Sequence, residues 1–296
     1  MPRNQTTGNL ALANFEDIFN VGIGKPDSEQ IVHIPLSELH PPDYHPFIVA
    51  DDEAMYRLAE SIRQYGVREP GLARPRAEGG YELVVGNRRK RGSELAEKKT
   101  MPVIIRELAD DIAVLIMVDS NLEQREKILP SERAWAYRMM MEALNHNGVK
   151  GESHSYEIMV ERTGVKKSQL FRIIRLTELI VELIDRVDTK QLAFNPAVEL
   201  SYLSLTEQSA VAEAMTAYET KPSLSQAIRL KKLKQDGKLT PDEIDSIISE
   251  EKKPPKSVNP GSMRFRKFFP ADYSPKQMEA VIVELLTEWK TNTVAV

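Results

Sequence analysis

Tyr81-Glu82-Leu83-Val84-Val85-Gly86-Asn87-Arg88-Arg89-Lys90-Arg91 is an apolar run that meets a glycine and passes directly into four basic side chains within five residues. The apolar half reads as a strand, Tyr81 to Val85, and the basic half as a helix that Gly86 opens and that runs to about Lys98. Free N–H groups at a helix N-terminus favour an anion, and arginines placed there add bidentate donors. The macrodipole opposes cations at that end, so the arrangement costs stability unless an anion compensates. The stretch therefore reads as a phosphate-binding turn, with a solvated basic turn as the plainer alternative. It leaves open whether the phosphate belongs to a nucleotide or to DNA.

Working outward, Gln30 to Pro35 reads as a short strand, followed by the turn His40-Pro41-Pro42-Asp43. Between Asp51 and Tyr65 the apolar residues Met55, Leu58, Ala59, Ile62 and Tyr65 recur at helical spacing, and Gly66 closes the element. Gly71–Pro75 pairs in the sequence with Tyr81–Val85 around Glu78-Gly79-Gly80, Pro102–Leu108 reads as another strand, and Asp110–Asn121 as a helix. Strands interleaved with helices over this span predict a small mixed α/β domain. After Asn121 the strand signals stop. A long helix is expected over Pro130–Asn147, then four shorter helical runs to about Tyr218, and a capped helix over Pro241–Glu250. The fold class is thus α+β. The organisation expected is a flexible tail (1–29), a mixed α/β domain (30–121), a helical domain (122–218), a helical spacer and linker (219–262) and a C-terminal helical segment (263–296).

Two further segments carry chemistry. Asp119-Ser120-Asn121-Leu122-Glu123-Gln124-Arg125-Glu126 places amide, hydroxyl, carboxylate and guanidinium groups at a helix end. It could hold a metal-bound phosphate, since Mg²⁺ takes few protein oxygens, but from spacing alone it reads as a polar interhelix loop. Residues 155–175 form a helix–turn–helix pattern. Ser155–Arg162 is the first helix, with Ile158 and Met159 inward, and Thr163-Gly164-Val165 the turn. Lys166 to Arg175 is the second helix, with Leu170, Ile173 and Ile174 inward. That leaves Lys166, Lys167, Ser168, Gln169 and Arg172 for a DNA major groove. Five basic residues (Arg162, Lys166, Lys167, Arg172, Arg175) against Glu157 and Glu161 make the segment locally positive in a chain of net charge −4. Two packed core helices with a basic surface are the alternative.

Composition narrows the classes. With 296 residues, 41% hydrophobic and 28% charged, the chain has an ordinary globular balance, and its slight acidity requires any nucleic-acid contact to come from a local patch. The absence of cysteine excludes disulfides, thiolate-zinc sites and cysteine nucleophiles. His33, His40, His45, His146 and His154 show no metal spacing and read as surface or turn residues, so no metal site is assigned. No apolar run reaches the length of a membrane span, and the expectation is a soluble cytoplasmic protein without a membrane partner. Leu10–Ile23 reads as a flexible tail or a docking peptide. The final helix carries Met278, Val281, Ile282, Leu285, Leu286 and Trp289 on one stripe, which suits its own core or a dimer contact equally.

The combination resembles the ParB/RepB family of DNA-partition proteins, in the branch carried on plasmids and mobile elements. The residues concerned are His45-Pro46-Phe47, Leu58-Ala59-Glu60-Ser61-Ile62 with Gly66-Val67, Tyr81 to Arg91, and Asp119 to Glu132, spread over Ile31 to Leu203. The resemblance implies a ParB/sulfiredoxin-like N-terminal domain that binds CTP with Mg²⁺ through Gly86, Asn87, Arg88, Arg89 and Arg91 and through Asn121, Gln124 and Arg125. It also implies a helix–turn–helix that binds a centromere-like site on double-stranded DNA, a homodimer, and a ParA-type ATPase as partner. Such a protein is nucleoid- or plasmid-associated. Family members hydrolyse CTP slowly, but here Asn87 and Ser120 stand where the family has glutamates, and the second box holds one extra residue. Those changes weaken the case for hydrolysis more than for phosphate binding, and no catalytic residue is assigned. A nucleotide-independent transcriptional regulator and a nucleotide-using enzyme of the ParB/sulfiredoxin superfamily are the other readings.

Overall fold

The computed structural model describes residues 30–125, 127–146, 152–250, 266–270 and 272–293. The chain divides into two units, one through Ser249 and one from Glu250. The first begins with a five-stranded sheet of β1 (Ile31–Pro35), β2 (Leu39–His40), β3 (Gly71–Pro75), β4 (Tyr81–Val85) and β5 (Thr100–Ile105), in the order β1-β5-β3-β4-β2. β1 runs antiparallel to β5 and β3 antiparallel to β4, while β5 pairs β3 and β2 pairs β4 in parallel. The last expected strand is shifted towards the N-terminus. Its register is set by Pro35 opposite Thr100 and by Ala73 opposite Ile105, partners invisible in the local pattern.

Between the strands lie α1 (Glu53–Tyr65) and α2 (Asn87–Leu95). α1 starts where the Asp52 carboxylate accepts the Met55 N–H at 2.8 Å, and it buries Met55, Ala59 and Ile62. Tyr65, expected inward, is exposed and carries Arg68 over its ring. α2 stops three residues short of the expected end, because Ala96 caps it and Glu97 turns left-handed.

α3 (Asp110–Gln124) then packs on β4 and continues past Asn121, so the expected domain boundary falls inside a helix. The rest of this unit is helical: α4 (Pro130–His146), α5 (Glu152–Thr163), α6 (Lys167–Ile174), α7 (Val181–Asp188), α8 (Phe194–Leu200), α9 (Leu205–Ala217), α10 (Leu224–Gln235) and α11 (Pro241–Ser249). Among the described residues, five helices rather than four lie between α4 and Tyr218. The extra division comes from the turn Arg175–Glu178 and the breaks after Asp188 and Leu200. One continuous apolar core joins Phe47 and Val84 to α3, α4 and the later helices, and a smaller one, built on Ala73, Leu83, Met101 and Val103, fills the other sheet face. Burial of this kind stabilises by roughly 25 cal/mol per Å² of apolar area.

In the second unit the described residues form a short turn, Arg266–Phe268, and α12 (Pro275–Thr293). Ser274 caps α12, accepting the Gln277 N–H at 3.4 Å. Val283, Leu285, Leu286 and Trp289 on α12 are exposed. The expected linker at Lys252–Gly261 and the segment Leu10–Ile23 lie outside the described residues.

Candidate functional site

A cavity of about 600 Å³ opens where the start of α2 meets the end of α3. Seven of the eight residues that sequence analysis assigns to nucleotide binding line it: Gly86, Asn87, Arg88, Arg89, Asn121, Gln124 and Arg125. The eighth, Arg91, does not. It faces Asp51, its Nε donating to Oδ1 at 2.9 Å, and Glu94, reached by its Nη1 at 3.0 Å. These partners raise the Arg91 pKa, and the Arg91 hydrogen bond holds the Asp51 carboxyl below its ordinary value.

Local backbone chemistry shapes the floor. Gly86 caps α2 in a left-handed conformation (φ 115°), and an added Cβ would lie 3.1 Å from the Met101 methyl and 3.3 Å from the Gly71 Cα. Glycine is therefore required twice over, by φ and by close packing. The first turn of α2 contains no acidic residue, so its N–H groups face the cavity without a carboxylate competitor of their own.

The arginines are held rather than loose. Arg89 donates through Nη1 to the carbonyls of Glu69 and Pro70, at 2.7 and 2.6 Å, and burial lowers its pKa. Arg125 lies over the Phe47 ring and donates to the Ile48 carbonyl and to Glu132 Oε1. Glu132 is buried, and its oxygens also accept the Ile48 N–H at 2.7 Å and the Leu129 N–H at 2.9 Å. Burial lowers the Arg125 pKa, with Glu132 acting against the shift and Arg88 with it, and the Arg125 Nε is a buried donor without a partner. Asn87 and Asn121 give their amide N–H groups to the Leu83 and Met117 carbonyls, which leaves their amide oxygens as the available acceptors.

Sequence analysis missed part of this wall. His45, read as a turn residue, lines the cavity, because the proline turn folds back and its Nδ1 bonds the Phe47 carbonyl at 2.7 Å. Burial lowers its pKa below 6.5. Asp52, Arg57 and Lys127 also line the cavity. Asp52 and Arg57 carry no local motif, and only their distance from α2 through the folded chain brings them in.

The donor set fits a polyphosphate. It does not fit Mg²⁺, which usually takes one or two carboxylates alongside phosphate oxygens in octahedral geometry. Asp52 is the one carboxylate lining the cavity among the described residues, and it already caps α1. Among the described residues no cluster of three or more histidine, cysteine or acidic side chains could hold a metal.

The helix–turn–helix pattern folds as α5, a turn with Gly164 at φ 67°, and α6. Met159, Leu170 and Ile173 are buried. Lys166, Lys167, Ser168 and Gln169 are exposed; Arg172 is half-buried, donates to Asn195 Oδ1 at 2.6 Å and lies over the Phe194 ring. Two more of the five basic residues counted towards the patch are used internally. Arg162 pairs with buried Asp119 of α3, and Arg175 donates to Ser201 and lies over Tyr202.

Fold and site together define a mixed α/β domain with an anion-suited cavity, continuous with a helical part in which α5, a glycine turn and α6 follow one another. Residues 23–122 match the ParB N-terminal domain family, and the chain carries a ParB N-terminal domain. It is 28% identical over 208 residues to the nucleoid occlusion protein of Listeria monocytogenes serotype 4b (strain CLIP80459), which covers 70% of this chain and 68% of that one. It is 29% identical over 164 residues to the probable chromosome-partitioning protein ParB of Pseudomonas putida, 55% of this chain and 54% of that one. Among solved structures it is similar to C-terminally truncated ParB of Caulobacter crescentus complexed with CTP-gamma-S, at 26% identity and a TM-score of 0.31, over 63% of this chain and 99% of that one. Among the described residues no helix is long and apolar enough to cross a membrane.

Proposed function

We propose that the chain is a DNA-binding partition protein of the ParB type, with a helix–turn–helix for double-stranded DNA and a nucleotide site, for CTP, in the α2–α3 cavity. One observation carries the reading. Two segments more than thirty residues apart in sequence converge on one cavity, and they bring six cationic and amide side chains (Asn87, Arg88, Arg89, Asn121, Gln124 and Arg125) to the N-terminal end of α2. The named relatives act in chromosome partition and nucleoid occlusion, which supports the same assignment.

In this reading Arg88 and the first N–H groups of α2 hold phosphate oxygens, Arg125 closes the opposite wall, and the amide oxygens of Asn87 and Asn121 accept hydroxyl or amino donors of the nucleoside. Lys166, Lys167, Ser168 and Gln169 approach a centromere-like site. The exposed apolar side chains of α12 suit a homodimer, and a ParA-type ATPase is the partner this reading implies, with the plasmid, nucleoid and cytoplasm as its setting. Truncation after Ser257 should reduce the mass in light scattering from dimer to monomer; an unchanged dimer would put the contact elsewhere.

Chromatin immunoprecipitation with sequencing tests the function. Enrichment should centre on a discrete site and extend along flanking DNA, and Arg88→Ala should shrink it to the site itself. Enrichment of identical, narrow shape in wild type and variant would favour a nucleotide-independent regulator.

A further inference from the structure

We propose that the cavity takes its nucleotide triphosphate without a divalent cation, with guanidinium and ammonium groups in the place a metal would occupy. The inference rests on the nucleotide reading above and deepens it.

Charge is the first argument. Arg57, Arg88, Arg89, Arg125 and Lys127 line the cavity, against Asp52 alone among the described acidic residues. Arg57 shares its Nη1 with Glu53 at the exposed rim, so the excess comes from the other four. Glu132 offsets Arg125 from behind, but it does not line the cavity, and its oxygens are taken by Ile48, Leu129 and Arg125. A fully ionised triphosphate matches such an excess, whereas its magnesium complex arrives with two fewer negative charges.

Ligand chemistry is the second argument. The Asp52 oxygen that caps α1 lies 3.8 Å from Arg88 Nη2, so a metal binding there would displace the cap and sit against a guanidinium. Asn87 and Ser120 are neutral, and Ser120 gives its hydroxyl proton to the Met117 carbonyl. A dication brought in with the phosphates would meet no free carboxylate among the described lining residues and several fixed positive charges. Arg89 and Arg125 cannot swing away to relieve this, because backbone carbonyls hold both. Lys127 stands beside Arg125 at the mouth, where it can reach the phosphates as a point charge.

The test is calorimetry on the full chain without DNA, with CTP, ATP and GTP each titrated in Mg²⁺ and in EDTA. The nucleotide that binds should do so with a Kd that changes by less than about threefold between the two buffers. Lys127→Glu, which supplies a carboxylate at the mouth, should bind at least about tenfold more tightly in Mg²⁺ than in EDTA. Wild-type binding that weakens by about tenfold or more in EDTA overturns the inference and leaves the nucleotide reading intact. No heat with any nucleotide in either buffer overturns both.

Discussion

The cavity and the recognition helix both present cations, but they hold them in opposite ways. In the cavity Arg89 and Arg125 are fixed by backbone carbonyls and an aromatic ring, and their burial disfavours the charged form. At the start of α6, Lys166 and Lys167 are exposed, Lys167 lying over the Tyr156 ring. A fixed array of guanidinium groups can select one compact anion, because its geometry is set before the ligand arrives. Exposed lysines instead follow a repeating backbone and add affinity through counterion release. Between the two regions, Arg162 belongs to the DNA-binding motif by sequence and to the scaffold by structure, since it pairs with Asp119 one residue before the cavity wall begins at Ser120.

The largest expected effect falls on the fixed array. Glu132→Ala removes a buried carboxylate that joins Arg125, Ile48 and Leu129, and breaking such a pair costs about 3–5 kcal/mol. Urea unfolding measures it. A loss below about 1 kcal/mol would mean that the wall is not preorganised. Arg162→Ala should cost about 3 kcal/mol by the same logic while leaving the salt dependence of DNA binding at the wild-type slope. A reduced slope would return Arg162 to the DNA surface.

On the recognition helix, Gln169→Ala should cost about 1–3 kcal/mol of discrimination between the selected site and its base variants. Competition binding against single-base variants reads this, and unchanged discrimination would mean that Gln169 does not touch a base. The smallest effect is that of pH on His45. Burial, opposed by the Phe47 carbonyl, lowers its folded pKa below 6.5. Below that value the unfolded chain takes the proton first, so stability falls as the solution is acidified. The imidazole resonances of His45 should titrate with a midpoint under 6.5. A midpoint at the ordinary value of 6.5 would place the ring in solvent.

Much of this was legible in the sequence. The strand–glycine–arginine stretch located β4, Gly86 and α2, and the resemblance tied it to Asn121, Gln124 and Arg125, which do line the same cavity. Gly66 at the end of α1 and the glycine turn at Gly164 are local chemistry and marked their elements. What was not legible depends on tertiary partners. Arg91 carries the same basic signature as Arg88 and Arg89, but the position of Asp51, forty residues earlier in the chain, turns it away. Arg162 and Arg175 look like DNA contacts until Asp119 and Ser201 are in place. His45 lies in the His45-Pro46-Phe47 stretch of the resemblance but was read as a surface or turn residue, and only the folded chain brings it into the wall.

The central claim is that the fixed cations serve a nucleotide and the exposed ones serve DNA. Equilibrium binding of labelled CTP and of the selected DNA site to wild type, Arg88→Ala and Lys167→Ala tests it in one set of measurements. Arg88→Ala should lose about tenfold in CTP affinity, as removal of a charge-assisted hydrogen bond predicts, and should keep its DNA affinity in the absence of nucleotide. Lys167→Ala should keep its CTP affinity and lose DNA affinity with a salt slope reduced by about one. If Arg88→Ala instead weakens DNA binding and leaves CTP untouched, the arginines of α2 contact the DNA backbone and the account fails.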